Sequence, residues 1–428
     1  MNYNTQNEKI KSITEKTLIV GIDVGSETHY ARAFDWRNYE YSKKPFAFCN
    51  TEAGFQEFKE WMKDIAEKQG KTVVIPGMEP TGHYWFALGK FLQDNGMKPV
   101  HVNPHHVKKS KELDDNNPNK NDRKDPKTIA ALVNEGRFSY PYIPTGIYAE
   151  IRSLSNLRFQ TQEELTRIKN RIARWFAIYF PEYKDVYGNL TAISGRKVLK
   201  VAPLPEDIIK LGEEGVNQIW RDAKLRGAGK KRAKTLVTAA KHSVGSKEAP
   251  EAARIELKNL LKDLDVYVGR LEELMKKIEE KLQEIPYVDK LMEIKGIGIV
   301  TVSGFIAEVG EIGRFDNPKQ LQKLAGYAIV ANESGKHNGE SRISYRGRKR
   351  LRYVLYEAAI SLIGKNAEFR KIYEYYRTRK ENPLKKMQSV VAVACKVLRI
   401  FYTILTKGVD YDGKKLMGDI KRPEVQTA

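Results

Sequence analysis

Two short apolar runs, each closing on a carboxylate, most narrowly limit how this chain can fold. Leu18-Ile19-Val20-Gly21-Ile22 ends at Asp23, and Val73-Val74-Ile75 leads to Glu79. Apolar runs this short, with no polar face, read as strands buried on both sides. Residues 17 to about 140 alternate such signals. Strand candidates are 17–24, 29–36, 44–49, 72–78 and 98–102, and helix candidates are 52–69, 83–95 and 125–135. That alternation predicts an α/β domain with a mixed sheet. Lys108 to Lys124, rich in Lys, Asp and Asn, reads as a mobile polar loop.

Asp122 and Asp125 complete the acidic set. They stand three apart at the head of a helical segment, a spacing that puts both on one face. Acids at strand ends, met by an acidic pair on a helix, form a cradle for two divalent ions. Two such ions about 4 Å apart stabilise the attacking and leaving oxygens of a phosphodiester. The residues therefore point to phosphoryl chemistry. His83, four residues after Glu79, is within sequence reach of this set or has a structural role. The pair His105-His106 lacks metal-ligand spacing, and Glu52, Glu57, Glu60 and Glu67 read as a solvated helix face.

Charge supplies the partner class. The chain has 428 residues, enough for two or three domains, and 75 Lys+Arg against 54 Asp+Glu give a net charge of +21. A chain this basic meets polyanions, most often nucleic acid, unless it is merely lysine-rich and soluble. The two cysteines, Cys49 and Cys395, sit in no zinc-ligand spacing and fit a reducing cytoplasm. Met1 to Lys16 is polar, so no secretory signal is expected, and no uninterrupted apolar stretch long enough for a membrane span is seen.

The rest of the chain divides into helical regions. Residues 148–180 interleave Arg152, Arg158, Arg167, Lys169, Arg171 and Arg174 with Leu, Ile and Phe, either tracking phosphates or forming a solvated face. Pro181, Pro203 and Pro205 punctuate a less regular stretch. Residues 251–286 carry a heptad through Leu257, Leu261, Leu264, Val268, Leu271, Met275, Ile278, Leu282 and Ile285, which predicts a coiled coil, between chains or as a hairpin. Residues 291–428 form a mostly helical basic domain with 26 Lys+Arg against 14 Asp+Glu, a net +12.

Three segments of that domain carry candidate chemistry. Lys295-Gly296-Ile297-Gly298 is a Gly-x-Gly turn between helical segments. It either lets backbone N–H groups approach a phosphate, as in a helix-hairpin-helix motif, or is an ordinary helix-helix turn. Ser341 to Arg352 holds six cations, Arg342, Arg346, Arg348, Lys349, Arg350 and Arg352, and no acid. Their guanidinium forks suit phosphate oxygens, and Tyr345 can stack on a base. Asn332 to Gly339 reads as a polar, glycine-flanked loop. Its Ser334 is a candidate phosphoryl nucleophile, although most loop serines only form turns.

In this order the pieces resemble the DEDD-type insertion-sequence transposases with a C-terminal serine domain, the bridge-RNA-guided recombinases. The resemblance covers nearly the whole chain. It is carried by Gly21-Ile22-Asp23-Val24-Gly25, by Glu79-Pro80-Thr81-Gly82-His83-Tyr84 for Glu-x-Thr-Gly-x-Tyr, and by Lys120-Asn121-Asp122-Arg123-Lys124-Asp125 for Lys-x-Asp-Arg-x-Asp. In the C-terminal part it is carried by Gly296-Ile297-Gly298, Arg314-Phe315 and Leu321-Gln322-Lys323-Leu324-Ala325-Gly326. The family's serine lies eight residues before Arg-Ile-Ser. Counting back from Arg342-Ile343-Ser344 gives Ser334, with Lys336 standing where the family has a second glycine and Ser341 and Ser344 as rivals.

The resemblance implies an RNase H-like α/β domain over 17–147, a helical linker and coiled coil over 148–290, and a helical basic serine domain over 291–428. It implies Mg²⁺ or Mn²⁺ on Asp23, Glu79, Asp122 and Asp125, attack by Ser334, and a covalent serine–DNA intermediate. The implied partners are double-stranded donor and target DNA, a structured guide RNA and further copies of the chain, as a dimer or tetramer, with no membrane and a cytoplasmic setting. The rival readings are a structure-selective metal-dependent nuclease without a covalent intermediate, and a non-catalytic nucleic-acid-binding scaffold.

Overall fold

The computed structural model describes residues 4–42, 44–80, 82–114, 125–227, 229–334 and 337–418. For helix residues 4, 5 and 111–114 and strand residues 331–334 and 337–341 it describes the backbone alone. The chain forms two units, residues 1–143 and 144–428.

The first unit is built on a six-stranded sheet. Its elements are α1 (Asn4–Ser12), β1 (Thr17–Asp23), β2 (Thr28–Phe34), β3 (Phe46–Cys49), α2 (Glu52–Lys68), β4 (Val73–Met78), α3 (Trp85–Asp94), β5 (Val100–Val102), α4 (Pro104–Asp114), α5 (Asp125–Asn134) and β6 (Phe138–Ser139). The strand order is β3-β2-β1-β4-β5-β6. β1 runs antiparallel to β2 and parallel to β4, β4 is parallel to β5, and β6 closes the edge antiparallel. The mixed sheet expected from alternation is therefore present.

β1 is apolar throughout because both of its faces are covered. Leu18, Val20 and Ile22 pack with Phe55, Phe58 and Leu88 from α2 and α3. Ile19 packs on the other side with Ile129, Ala130 and Val133 of α5. Two glycines admit α5 to that face. A Cβ on Gly21 would lie 1.8 Å from the Pro126 carbonyl oxygen, and one on Gly77 would lie 2.5 Å from Val133 Cγ2. The Lys108–Lys124 loop expectation is corrected in its first part: α4 runs to Asp114, entered through Asn103, whose Oδ1 accepts from the His105 amide at 2.9 Å. Residues 115–124 lie outside the described residues.

The second unit is helical. α6 (Gly146–Tyr179) and α11 (Pro250–Leu282) lie antiparallel along each other. At one end, Leu165 to Phe180 of α6 and Ala253 to Leu264 of α11 share a core with α7 (Tyr183–Val186), α8 (Ile193–Val201), α9 (Pro205–Asp222) and α10 (Lys230–Lys241). Trp175 Nε1 donates to the Ala253 carbonyl at 3.0 Å, and Arg254 pairs with Glu206 and Asp207. The heptad is thus satisfied as a hairpin within the chain. Its buried positions are Leu257, Leu261, Leu264, Ile278, Leu282 and Ile285, whereas Val268 and Leu271 are only partly buried.

The stretch expected to be irregular after Pro181 is helical, with α9 kinked at Gly212, which takes φ +72°. Pro205 occupies the first helical position of α9, where the missing amide costs no hydrogen bond, and Pro181 follows the end of α6. The prolines separate these helices without breaking any.

At the other end of the hairpin, Ile151, Ile278 and Leu282 join a second core. It contains α12 (Val288–Met292), α13 (Ile299–Val309), α14 (Pro318–Leu324), α15 (Lys349–Lys365), α16 (Ala367–Thr378), α17 (Lys386–Lys407) and α18 (Gly413–Gly418). Inserted between α14 and α15 is a hairpin of β7 (Ile329–Ser334) and β8 (His337–Ile343), where the sequence suggested a loop. α17 is long and apolar enough to cross a membrane by length and composition, although Lys396 and Arg399 interrupt it, so the expectation of no uninterrupted apolar stretch holds there. Its Val393, Ala394, Val397, Leu398 and Phe401 are all buried in this core, and it serves as the central helix there.

Candidate metal edge and serine hairpin

Backbone register brings three of the four acids to one edge of the sheet. Ile22 of β1 lies opposite Met78 of β4, so Asp23 and Glu79 are the next residues on two adjacent parallel strands. Side chains alternate along a strand, so Asp23 shares its face with Gly21, and Glu79 with Gly77. Both glycines face α5. Asp125 is the first residue of α5, immediately before the Pro126 that rests on Gly21. Residues more than a hundred positions apart are thus set on one face and at one end of the sheet. Open α/β sheets place their reactive groups at the carboxyl ends of strands.

The donor set consists of hard carboxylate oxygens, which suit Mg²⁺ or Mn²⁺ and not zinc. Among the described residues, no three His, Cys, Asp or Glu side chains are grouped closely enough to hold an ion. Asp122, the fourth acid, lies outside the described residues. The described acids suit a divalent cation in kind and share one edge of the sheet, without being grouped closely enough to hold an ion. His83 is exposed and lies against Tyr84, with ring centroids 4.5 Å apart.

Sequence reading missed one feature of this unit. His101 pairs in register with Met78 and packs edge-on against Trp85 at 4.2 Å. Burial pushes its pKa down to about 4, so the ring is neutral near pH 7. Its position on the edge was hidden because nothing in the spacing of a lone histidine reports which strand it faces.

The second unit carries the other candidates. Ser334 is the last residue of β7 and pairs in register with His337 at the tip of the β7–β8 hairpin. Gly335 and Lys336 lie outside the described residues. Of the rivals, Ser341 falls within β8, and Ser344 follows it and donates its hydroxyl to the Gly326 carbonyl at 3.3 Å. That bond ties Ser344 to the base of the hairpin.

The cationic segment divides into two groups. Arg342, Arg346 and Lys349 are exposed. Arg348 donates to the Glu308 carbonyl at 2.6 Å and pairs with the Glu308 carboxylate at 3.5 Å. Arg352 donates to the carbonyls of Ala325 and Tyr345 at 2.9 and 3.3 Å, and Arg350 donates to Asn156 Oδ1. Arg348 and Arg352 thus hold the α13–α14–α15 region together, Arg350 links α15 to α6 at the cleft it lines, and the other three face outward.

In the Gly-x-Gly turn, Lys295 and Gly298 are exposed, and Gly298 is the N-cap of α13 with no side-chain cap. Gly296 adopts φ +106°, and its carbonyl accepts from Ser361 Oγ at 2.7 Å, which pins the turn to α15. A turn that uses a glycine at positive φ and ends on an exposed glycine at a helix N-terminus is compatible with phosphate contact.

Comparison with known proteins falls on both units. The DEDD domain of IS110-type transposases matches residues 20–181, and the domain described as transposase IS116/IS110/IS902 family matches residues 288–374. An insertion element IS116 protein of 44.8 kDa from Streptomyces clavuligerus is 24% identical over 294 residues, covering 67% of this chain and 71% of that one. An insertion element IS900 protein of 42 kDa from Mycobacterium paratuberculosis is 23% identical over 288 residues, covering 66% and 71%. A putative transposase, y4rJ, from Sinorhizobium fredii is 30% identical over 132 residues, covering 30% and 33%.

Proposed function

The chain belongs to the IS110/IS116 family of insertion-element transposases and is a DNA transposase, and on that premise we propose how it cuts and rejoins DNA. The observation that carries the proposal is the convergence of Asp23, Glu79 and Asp125 on one face and edge of the sheet. The strand order, with β1 central, antiparallel to β2 and parallel to β4, supports an RNase H-like reading of this unit. Asp23, Glu79, Asp122 and Asp125 hold Mg²⁺ or Mn²⁺. The bound cation supplies charge stabilisation to a phosphodiester in the act of substitution.

Ser334 is the nucleophile. Its hydroxyl oxygen bonds to phosphorus, its proton passes to a base or solvent, and one bridging P–O bond breaks. The departing sugar oxygen takes up a proton. The result is a serine–DNA phosphodiester that conserves the energy of the broken linkage. A sugar hydroxyl from another strand reverses the step and restores the serine. A hydroxyl is a weak nucleophile until it is positioned and its proton has somewhere to go. The cations around the β7–β8 hairpin, Arg342 and Arg346, offset the negative charge of the approaching strand.

A structured guide RNA selects the sites by base pairing, and the basic second unit holds its backbone. The assembly contains more than one copy of the chain. The test is a denaturing gel of protein incubated with donor and target DNA and Mg²⁺, followed by mass spectrometry of any adduct. Attachment at Ser334 is expected, with loss of the adduct in Ser334→Ala. An adduct on Ser341 or Ser344 would reassign the nucleophile. Acid-dependent cutting with no adduct would instead make the protein a metal-dependent nuclease.

A further inference from the structure

We propose that the cleft between α6, α13 and α15 is a subsite for one unpaired nucleotide of a bound nucleic-acid strand. The base rests on Phe159 and Tyr353, and the phosphate lies between Arg158 and Arg350. The inference rests on the chain binding nucleic acid, as its family implies, and on neither the metal ions nor the serine.

The cleft measures about 160 Å³ and is lined by α6, α13 and α15. That is too small for a drug-sized ligand and suits a single flat ring system. Its floor is α13, where Gly304 brings the helix close to α15: a Cβ there would stand 2.9 Å from Val354 Cγ2. Phe159 and Tyr353 meet edge to face, with centroids 6.3 Å apart at 86°. Tyr353 is 52% exposed, so an aromatic surface is offered to solvent at the cleft.

The cations give the cleft its polarity. The Arg350 guanidinium lies 4.4 Å above the Phe159 ring, and its Nη1 donates to Asn156 Oδ1. Arg158 is half-buried, and among the described residues no carboxylate stands within ion-pair reach of it. Loss of solvent lowers its pKa, and the Tyr353 hydroxyl partly offsets this. A guanidinium held out of water without a carboxylate is well suited to an anion, and its fork matches phosphate oxygens.

Arg350, Tyr353 and Glu357 follow one face of α15 at helical spacing, so the cleft runs from a cationic end to an acidic one. A phosphate at the Arg350 end points its base toward Glu357. That carboxylate can accept a hydrogen bond from an exocyclic amino group, which favours adenine, cytosine and guanine over uracil and thymine. Unpaired bases held on aromatic faces and guanidinium planes are the usual way of reading single strands.

The test measures equilibrium binding of the full-length chain in EDTA at fixed salt. The probes are a fluorescein-labelled single-stranded cytidine-rich oligonucleotide, in RNA and DNA forms, and a matched duplex. Tyr353→Ala should weaken single-strand binding about tenfold and leave duplex binding within about twofold. Arg158→Lys, which keeps the charge and loses the fork, should move the same way. Photocrosslinking of a 5-iodocytidine or 5-iododeoxycytidine oligonucleotide should map to Phe159 or Tyr353. A larger loss on RNA would identify the source as a guide strand, and a larger loss on DNA as a displaced strand. Equal losses on single strand and duplex, no loss in either variant, or crosslinks confined elsewhere would overturn the subsite alone. Wild-type protein that bound none of the probes would overturn the nucleic-acid reading beneath it as well.

Discussion

The two units hold their candidate groups in opposite ways. The sheet unit fixes Asp23, Glu79 and Asp125 through register and a helix seated on two glycines, so each acid inherits its position from a buried backbone. The helical unit carries Ser334 at the tip of a two-stranded hairpin, anchored through Ser344 and Arg352 at its base. A metal cradle needs several oxygens in one fixed geometry, which a sheet edge provides. A nucleophile that must attack one strand and then be released by another is better placed on a projecting tip. On the proposed mechanism, the sheet edge would hold the phosphate and the hairpin serine would attack it.

The largest expected effects break that contrast directly. Asp23→Asn and Asp125→Asn should each lower recombination by more than about a hundredfold with folding retained, because several kcal/mol of charge stabilisation disappear. Ser334→Ala should match them in strand exchange but, unlike them, should retain metal-dependent protection of the bound DNA. Recombination assays beside footprinting separate the two. Wild-type activity in Asp23→Asn would remove the metal edge from the mechanism.

Core substitutions come next and sharpen the architectural side. Leu261→Ala, in the fully buried part of the α6–α11 hairpin, should cost about 2–5 kcal/mol, whereas Val268→Ala at the half-buried middle should cost less than about 1.5 kcal/mol. Denaturant unfolding measures both. Equal costs would mean that the middle of the hairpin is covered in solution.

Glycine replacements should be smaller and should differ between the units. Gly21→Ala drives a Cβ into the Pro126 carbonyl and should destabilise the first unit by about 1–3 kcal/mol. Gly298→Ala meets nothing within 4 Å and should stay within about 0.5 kcal/mol. Hydrogen exchange resolved by unit distinguishes the two. A large effect of Gly298→Ala on DNA binding, without one on stability, would mark that turn as a contact.

A pH slope in the first unit offers a separate readout. His101 has a folded pKa of about 4, below its ordinary 6.5. Between those values the unfolded chain binds the extra proton, so stability is full above about pH 6.5 and falls as the pH drops toward 4. His101→Phe should flatten that slope in thermal melts taken across the range. An unchanged slope would place its origin in other groups.

Much of this was legible in the chain. The apolar run at 18–22 marked β1, because a strand covered on both faces can have no polar side; the run at 73–75 also marked a strand, β4, but Val73 is exposed and Val74 and Ile75 are half-buried, so that strand is covered only from Pro76 to Met78. The heptad from Leu257 to Ile285 marked α11, because a buried stripe must repeat at helical spacing. The partner of that stripe was not legible. α6 carries its own apolar positions among arginines, and only packing reveals that Ile172 and Trp175 meet α11 within the same chain. The hairpin under Ser334 was read as a loop because its residues are polar and glycine-flanked, and β7 and β8 pair mainly with each other. Arg348 and Arg352 looked like two more phosphate contacts. Charge spacing is the same whether a guanidinium faces solvent or a neighbouring carbonyl.

The sequence by itself determined the central strands, α11, the acids and their motif order, and the excess of positive charge, because propensity, periodicity and charge are local properties. The tertiary structure alone decided that Gly21 and Gly77 admit α5, and so which face and edge Asp23, Glu79 and Asp125 share. It also decided which arginines are already occupied and where an aromatic cleft opens between α6, α13 and α15. Those outcomes depend on close approach between segments tens to more than a hundred residues apart, and no local pattern encodes that distance.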